Sequence, residues 1–181
     1  NGRINITVFP ASQMGPPPRQ FDLARTGVAD FSVVLHGLTP GRFPLSELAH
    51  VPGMLKVKSN FGGAQALTSI APVFAAEHSG VKIINMLVLK TALISKKEIK
   101  NATDLAGKRV RAAGSVQSDV LSAMGAVPVL IQPGEMSEAL NKGMIDGASS
   151  AYSAVASFKL DDVAKFIAEG NMGLVTFATI M

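Results

Sequence analysis

The sequence predicts a two-lobed α/β protein, and three observations lead there. Of its 181 residues 48% are apolar and only 17% charged, the balance of a chain that buries a core. Short runs with strand-like alternation take turns with stretches of helical periodicity along the whole length, the grammar of an α/β fold. One piece of that grammar also occurs twice. The first half reads strand (4–9), Pro10, loop, helix, Gly27-Val28-Ala29-Asp30, strand; the second reads strand (127–132), Pro133, loop, helix, Gly143-Met144-Ile145-Asp146, strand. In each copy a glycine closes the helix and an aspartate three residues on enters the next strand. Right-handed crossovers then call for parallel pairing within each copy, and two units on one plan leave a cleft between them. Ligands of open α/β sheets bind at the carboxyl ends of strands, which places function in that cleft.

Each element has its own local warrant. Residues 4–9 alternate apolar and polar side chains and stop at Pro10, as a strand does. The prolines at 16–18 open a helix through 19–26, since proline is harmless in a first turn whose N–H has no helical acceptor. Gly27 closes it, and 29–35 is the next strand; 36–44 is a loop punctuated by glycine and proline, and 45–48 a short helical turn. Between 64 and 79 the apolar residues Ala64, Leu67, Ile70, Ala71, Phe74 and Ala75 recur at helical spacing up to Gly80, and 81–89 is an apolar strand. In the second half Thr103 caps a turn over 104–106, 109–112 is a strand and 116–124 a helix stopped by Gly125. Strand 127–132, helix 135–142 and strand 147–150 follow, then helical stretches over 151–158 and 163–168 and a last strand over 175–181.

Much chemistry is excluded. There is no cysteine, which removes thiolate catalysis, disulfides and cysteine-based zinc sites together. The histidines His36, His50 and His78 are scattered without metal-ligand spacing, so no metal is expected. Gly62-Gly63 belongs to no dinucleotide or phosphate loop, and Ser149-Ser150 lacks the glycines of a nucleophile elbow. No carboxylates pair in a segment that looks like a cleft: Asp161-Asp162 and Glu135/Glu138 sit at helix starts, where the dipole favours them. Net charge is +4, and the basic run Lys96, Lys97, Lys100, Lys108, Arg109, Arg111 contains no aromatic residue, so it reads as a solvated face and not a nucleic-acid surface. No apolar run approaches the ~20 residues that span a bilayer. A binding protein without cofactor, not an enzyme, is what remains. The chain begins at Asn1 without a methionine and stops within the apolar run 173–181, which reads as a trimmed or mature segment.

One segment carries a family resemblance. Lys97, Ile99, Asp104, Leu105, Gly107 and Arg111 stand at the spacing of a stretch that leads into the central binding strand of solute-binding subunits of tripartite ATP-independent periplasmic (TRAP) transporters. Ile6-Thr7-Val8-Phe9-Pro10 through Gln13-Met14-Gly15, Met124 to Val129, and Met144-Ile145-Asp146-Gly147-Ala148 on to Phe158-Lys159 resemble the same family in the same order. The resemblance implies a periplasmic-binding-protein-like fold of type II, truncated here at both ends, with residues 1–90 in an incomplete first lobe. Residues 91–174 would form the second lobe, and 175–181 a strand returning to the first. It also implies a precursor with a signal peptide, a place in the periplasm, and delivery of a small organic acid to a membrane permease.

By the same resemblance Arg111 is the residue that grips the ligand carboxylate. Guanidinium suits that task, because its planar fork meets a carboxylate with two parallel hydrogen bonds. Alternation alone puts Arg109 and Arg111 on one strand face and does not choose between them. Thr91 occupies the position where sialic-acid binders of the family carry a second arginine, leaving one main anchor. Tyr152 falls where relatives place a bulky wall residue, Ser150 at a polar contact, and His36 at the carboxyl end of a first-lobe strand. The competing function is the ligand-sensing effector domain of a bacterial transcription regulator, which shares the two-lobed plan.

Overall fold

The computed structural model describes residues 2–10, 12–170 and 172–181. A 3-10 turn, Pro17–Arg19, leads into α1 (Gln20–Arg25), followed by β1 (Ser32–Leu35), α2 (Pro44–Glu47), α3 (Asn60–Ser69) and the long β2 (Ile83–Ser95). Then come β3 (Arg109–Ala112), α4 (Ser115–Ala123), β4 (Val127–Leu130), α5 (Met136–Asn141), β5 (Gly147–Ala151), α6 (Ser153–Ser157), β6 (Phe166–Ala168) and β7 (Leu174–Ile180).

β2 joins the two halves. Its first part, 83–90, pairs antiparallel with β7, and its second part, 91–95, pairs antiparallel with β5. β1 lies on the far side of β7, while β3 runs parallel to both β5 and β4. The strand order is β1-β7-β2-β5-β3-β4, with β6 pairing β2 at 93–95. The result is a two-lobed α/β fold whose sheets share one strand.

Each lobe has its own core. In the first, Phe21 of α1, Leu67 of α3, Phe43 and Phe74 pack on Val34, Met86, Val88 and Ala178 of the sheet. In the second, strand alternation along β2 sends Leu93 to one face and Ile94 to the other. Leu93 meets Leu105, Val110 and Leu121, whereas Ile94 meets Met136, Leu140 and Leu160. A parallel sheet is stable when both faces are covered in this way.

Several expectations fail for identifiable reasons. Residues 4–10 form no strand, and Ile4, Ile6 and Val8 are exposed. Alternation permits a strand, but its N–H and C=O groups need a neighbouring ladder, and none pairs with this segment among the described residues. The parallel pairing expected of the first copy therefore fails too, since among the described residues β1 pairs only with the antiparallel β7. In the second copy β4 and β5 are both parallel to β3, and Gly143 caps its helix with a φ of 67°. Residues 163–168, expected to be helical, end instead in β6, because the edge of β2 beyond β7 offers unpaired groups at 93–95. α3 begins earlier than its apolar spacing indicated: Ser59 Oγ accepts from Gly62 N at 3.0 Å and starts the helix at Asn60. Thr103 is not the cap of its turn. Asn101 Oδ1 accepts from the N–H groups of Thr103 and Asp104, and Asp104 returns a bond to Asn101 N.

Candidate binding site

β3 lies between β4 and β5, so its later side chains are sealed from water while its first remains open. Arg109 is that first residue. Its Nη2 donates to Gly143 O at 2.7 Å, its Nε lies 3.7 Å from Asp146 Oδ2, and its side chain is 48% exposed. Arg111, two residues on, is 2% exposed. Its Nε donates to Ile131 O and its Nη1 to Ser149 O, each at 2.9 Å. Ile131 follows β4 and Ser149 belongs to β5, so the strands on both sides of β3 hold the fork in place.

No carboxylate pairs with Arg111 among the described residues. Burial pushes its guanidinium down to about 10, which leaves it protonated at neutral pH. A buried cation without an anion costs several kcal/mol, and two neutral carbonyls offset only part of that. The elements around it also carry buried polar atoms without partners: Ser149 Oγ, Gln132 Oε1 and Gln117 Nε2. Gln117, in the first turn of α4, is fixed through its other amide atom, as Oε1 accepts from Ala113 N at 2.8 Å. Ser149 Oγ and Gln117 Nε2 can donate and Gln132 Oε1 can only accept, so each is a buried polar atom open to one further hydrogen bond.

Of the residues picked from sequence, Arg111 and Ser150 lie on adjacent strands, with Ser150 buried beside Ser149 in β5. Tyr152 follows β5 directly, at the start of α6, and is 45% exposed. Thr91 is buried where β2 changes partners, and its hydroxyl donates to Gly173 O at 3.0 Å. Gly173 has a φ of 87°, and a Cβ there would meet His50 O at 2.1 Å, so this crossover admits glycine alone.

His36 is elsewhere. It is fully buried in the first-lobe core, with Nδ1 2.9 Å from Thr176 Oγ1 and Nε2 3.1 Å from His78 Nε2. Both ring nitrogens are committed within the protein, which removes it as a ligand contact. The scattered histidines in fact converge, for His50 Nε2 stands 2.7 Å from the same Thr176 hydroxyl. No group of three or more His, Cys, Asp or Glu among the described residues is arranged to hold a metal ion. Sequence reasoning missed Ser149 and Gln117. The tie between Arg111 and Ser149 runs through the β3–β5 pairing, which no local spacing shows. For Gln117, its place in the first turn after the arginine strand was the one available signal.

The chain thus has the two-lobed α/β fold, its lobes sharing β2, with a buried guanidinium that no carboxylate pairs among the described residues. The model of the bacterial extracellular solute-binding proteins, family 7, matches residues 1–181, and the chain belongs to that family, whose members are transport proteins and not enzymes. A marine metagenome TRAP solute-binding protein specific for aromatic acid ligands, in complex with 3-hydroxybenzoate, is 31% identical with a TM-score of 0.92, over 99% of this chain and 58% of that one. One from Rhodoferax ferrireducens T118, in complex with copurified benzoate, is 30% identical with a TM-score of 0.90, over the same shares of the two chains. A monocarboxylate 2-oxoacid-binding periplasmic protein of Nostoc sp. is 28% identical over 82% of this chain and 42% of its own length. The chain thus spans about half the length, or less, of the curated relatives it matches. No helix among the described residues is long and apolar enough to cross a membrane.

Proposed function

We propose that the chain forms the ligand-gripping part of a periplasmic TRAP receptor that captures a small organic carboxylate between two lobes and delivers it to the membrane permease. The lobes comprise residues 1–90 and 91–174, with 175–181 returning to the first. The observation that carries this reading is Arg111, 2% exposed, tied by two carbonyls and paired with no carboxylate among the described residues. A bound carboxylate supplies the missing charge and takes the donors that the carbonyls leave free. Aromatic monocarboxylates are the favoured class, because relatives of 30–31% identity hold 3-hydroxybenzoate and benzoate. Thr91, in place of a second arginine, fits a ligand with one charged group, and Ser150 and Tyr152 are the proposed polar contact and wall. Family membership favours this reading over the regulator one.

Calorimetry with benzoate tests the assignment. Arg111→Ala is expected to weaken binding at least ~100-fold, as loss of one partner of a buried charge pair does. Arg111→Lys keeps the charge without the fork and should fall between the two. Unchanged affinity in a folded Arg111→Ala variant overturns the reading.

A further inference from the structure

The two lobes meet at the ends of β1 and β3. Gly37, in the 3-10 turn His36–Leu38 after β1, lies against the Ala113-Gly114 link between β3 and α4. A Cβ on Gly37 would stand 2.6 Å from Ala113 O, and one on Gly114 would stand 2.7 Å from Gly37 Cα. Gly114 has an extended φ of 165°, so close backbone contact, and not its conformation, is what calls for glycine.

Beside this contact one carboxylate crosses from lobe to lobe. Glu47, the last residue of α2, accepts a hydrogen bond on Oε2 from Ser115 Oγ at 3.0 Å. Ser115 is the first residue of α4, a helix of nine residues whose positive end favours an anion. Glu47 is 4% exposed, and its Oε1 is buried without any partner. Among the described residues no group of its own lobe bonds the carboxylate; the only hydrogen bond comes from the other lobe. In this arrangement the Ser115 hydroxyl and the positive end of α4 are what hold the buried carboxylate, and parting the lobes gives up both. Burial accordingly pushes the Glu47 carboxyl upward, against the Ser115 bond.

We propose that Glu47 is the closure latch of this receptor: its bond to Ser115 at the start of α4 sets how far the lobes close over a ligand held by Arg111. Glu47 is a positioning residue. It acts through α4, which follows directly on the strand that carries Arg111, and through the Gln117–Ala113 bond that stiffens the link between them. The clause about the ligand rests on the capture reading above, whereas the latch itself is read without ligand.

The absence of cysteine makes the test direct. Val28→Cys and Leu130→Cys put one label on each lobe, both at exposed positions, for single-molecule distance measurements with and without benzoate. Glu47→Ala and Ser115→Ala are each expected to shift the ligand-free population toward wider separations about tenfold, the value of one hydrogen bond to a charged group. The double variant should add nothing further, and Glu47→Gln, whose neutral amide oxygen still accepts from Ser115, should shift the distribution distinctly less than Glu47→Ala. A purely structural role for Glu47 predicts neither the coupling to Ser115 nor the rescue by Gln. Unchanged separations in both single variants, or additive effects, overturn the latch. Should Glu47→Ala not fold, Ser115→Ala, which removes one part-buried hydroxyl, decides alone. Because the ligand-free distribution carries the test, failure to bind benzoate would count against the capture reading and leave the latch standing.

Discussion

Thr176 organises the most tightly coupled residues of the first lobe. Its hydroxyl stands 2.9 Å from His36 Nδ1, 2.7 Å from His50 Nε2 and 3.2 Å from Ser46 O. His78 Nδ1 faces Phe74 O at 2.9 Å and so carries a proton, which makes its Nε2 the acceptor for His36. Burial, together with the neighbouring His78 and His50, pushes His36 down to about 3, and burial pushes His50 down to about 4. Both rings are therefore neutral when folded, while in the unfolded chain they protonate below the ordinary 6.5. Their contribution is intact above pH 6.5 and is lost as pH falls from there toward 4 and 3. Each costs ~2 kcal/mol of stability between pH 6.5 and 5. Urea melts at pH 7 and pH 5 check this, and equal midpoints would refute it. His36→Phe should flatten part of the dependence. At this scale Arg111 could be singled out in the sequence, because a guanidinium stands at the family spacing, and its proposed role remains for calorimetry to test. The histidine cluster was not legible, since it joins residues 140 and 126 positions from Thr176.

Elements were readable where their signals are local. β3 spans 109–112 as expected, α4 lies within one residue of its expected bounds, and prolines open α1's leading turn. The turn before β3 rests on a cap that spacing could not choose between neighbours. Asn101 takes it because its side-chain oxygen reaches two N–H groups while Asp104 bonds back to the chain at 100 and 101. Asn101→Ala should cost ~1 kcal/mol in thermal or denaturant melts, and Thr103→Ala distinctly less. Elements that depend on a distant ladder were misread, as at 4–9 and 163–168. The difference is that a helix satisfies its own backbone and a strand does not.

At the scale of the molecule, β1 has a ladder on one side only among the described residues. Along and before it Phe31, Val33, Val28, Phe9 and Ile6 are exposed. An unpaired edge with apolar side chains is a template for pairing with another copy. Sedimentation velocity is expected to show self-association of this chain that rises with concentration, and Val33→Lys should suppress it. A concentration-independent monomer would contradict that expectation. Lobe closure belongs to the same scale, since Glu47–Ser115 and Gly37–Gly114 couple elements that have their own separate cores.

By itself the sequence determined the α/β class, the absence of cysteine chemistry, and the second-lobe order of β3, α4, β4, α5 and β5. These follow from periodicity, caps and residue type, all of which act within a few positions. Tertiary structure alone decided that Arg111 and not Arg109 is buried, that Ser149 and Ile131 hold it, that His36 lies in a core, and that Glu47 reaches across the lobes. Burial, an unpaired charge and a bond between lobes are properties of what surrounds a side chain, and those surroundings come from strands far apart in the chain.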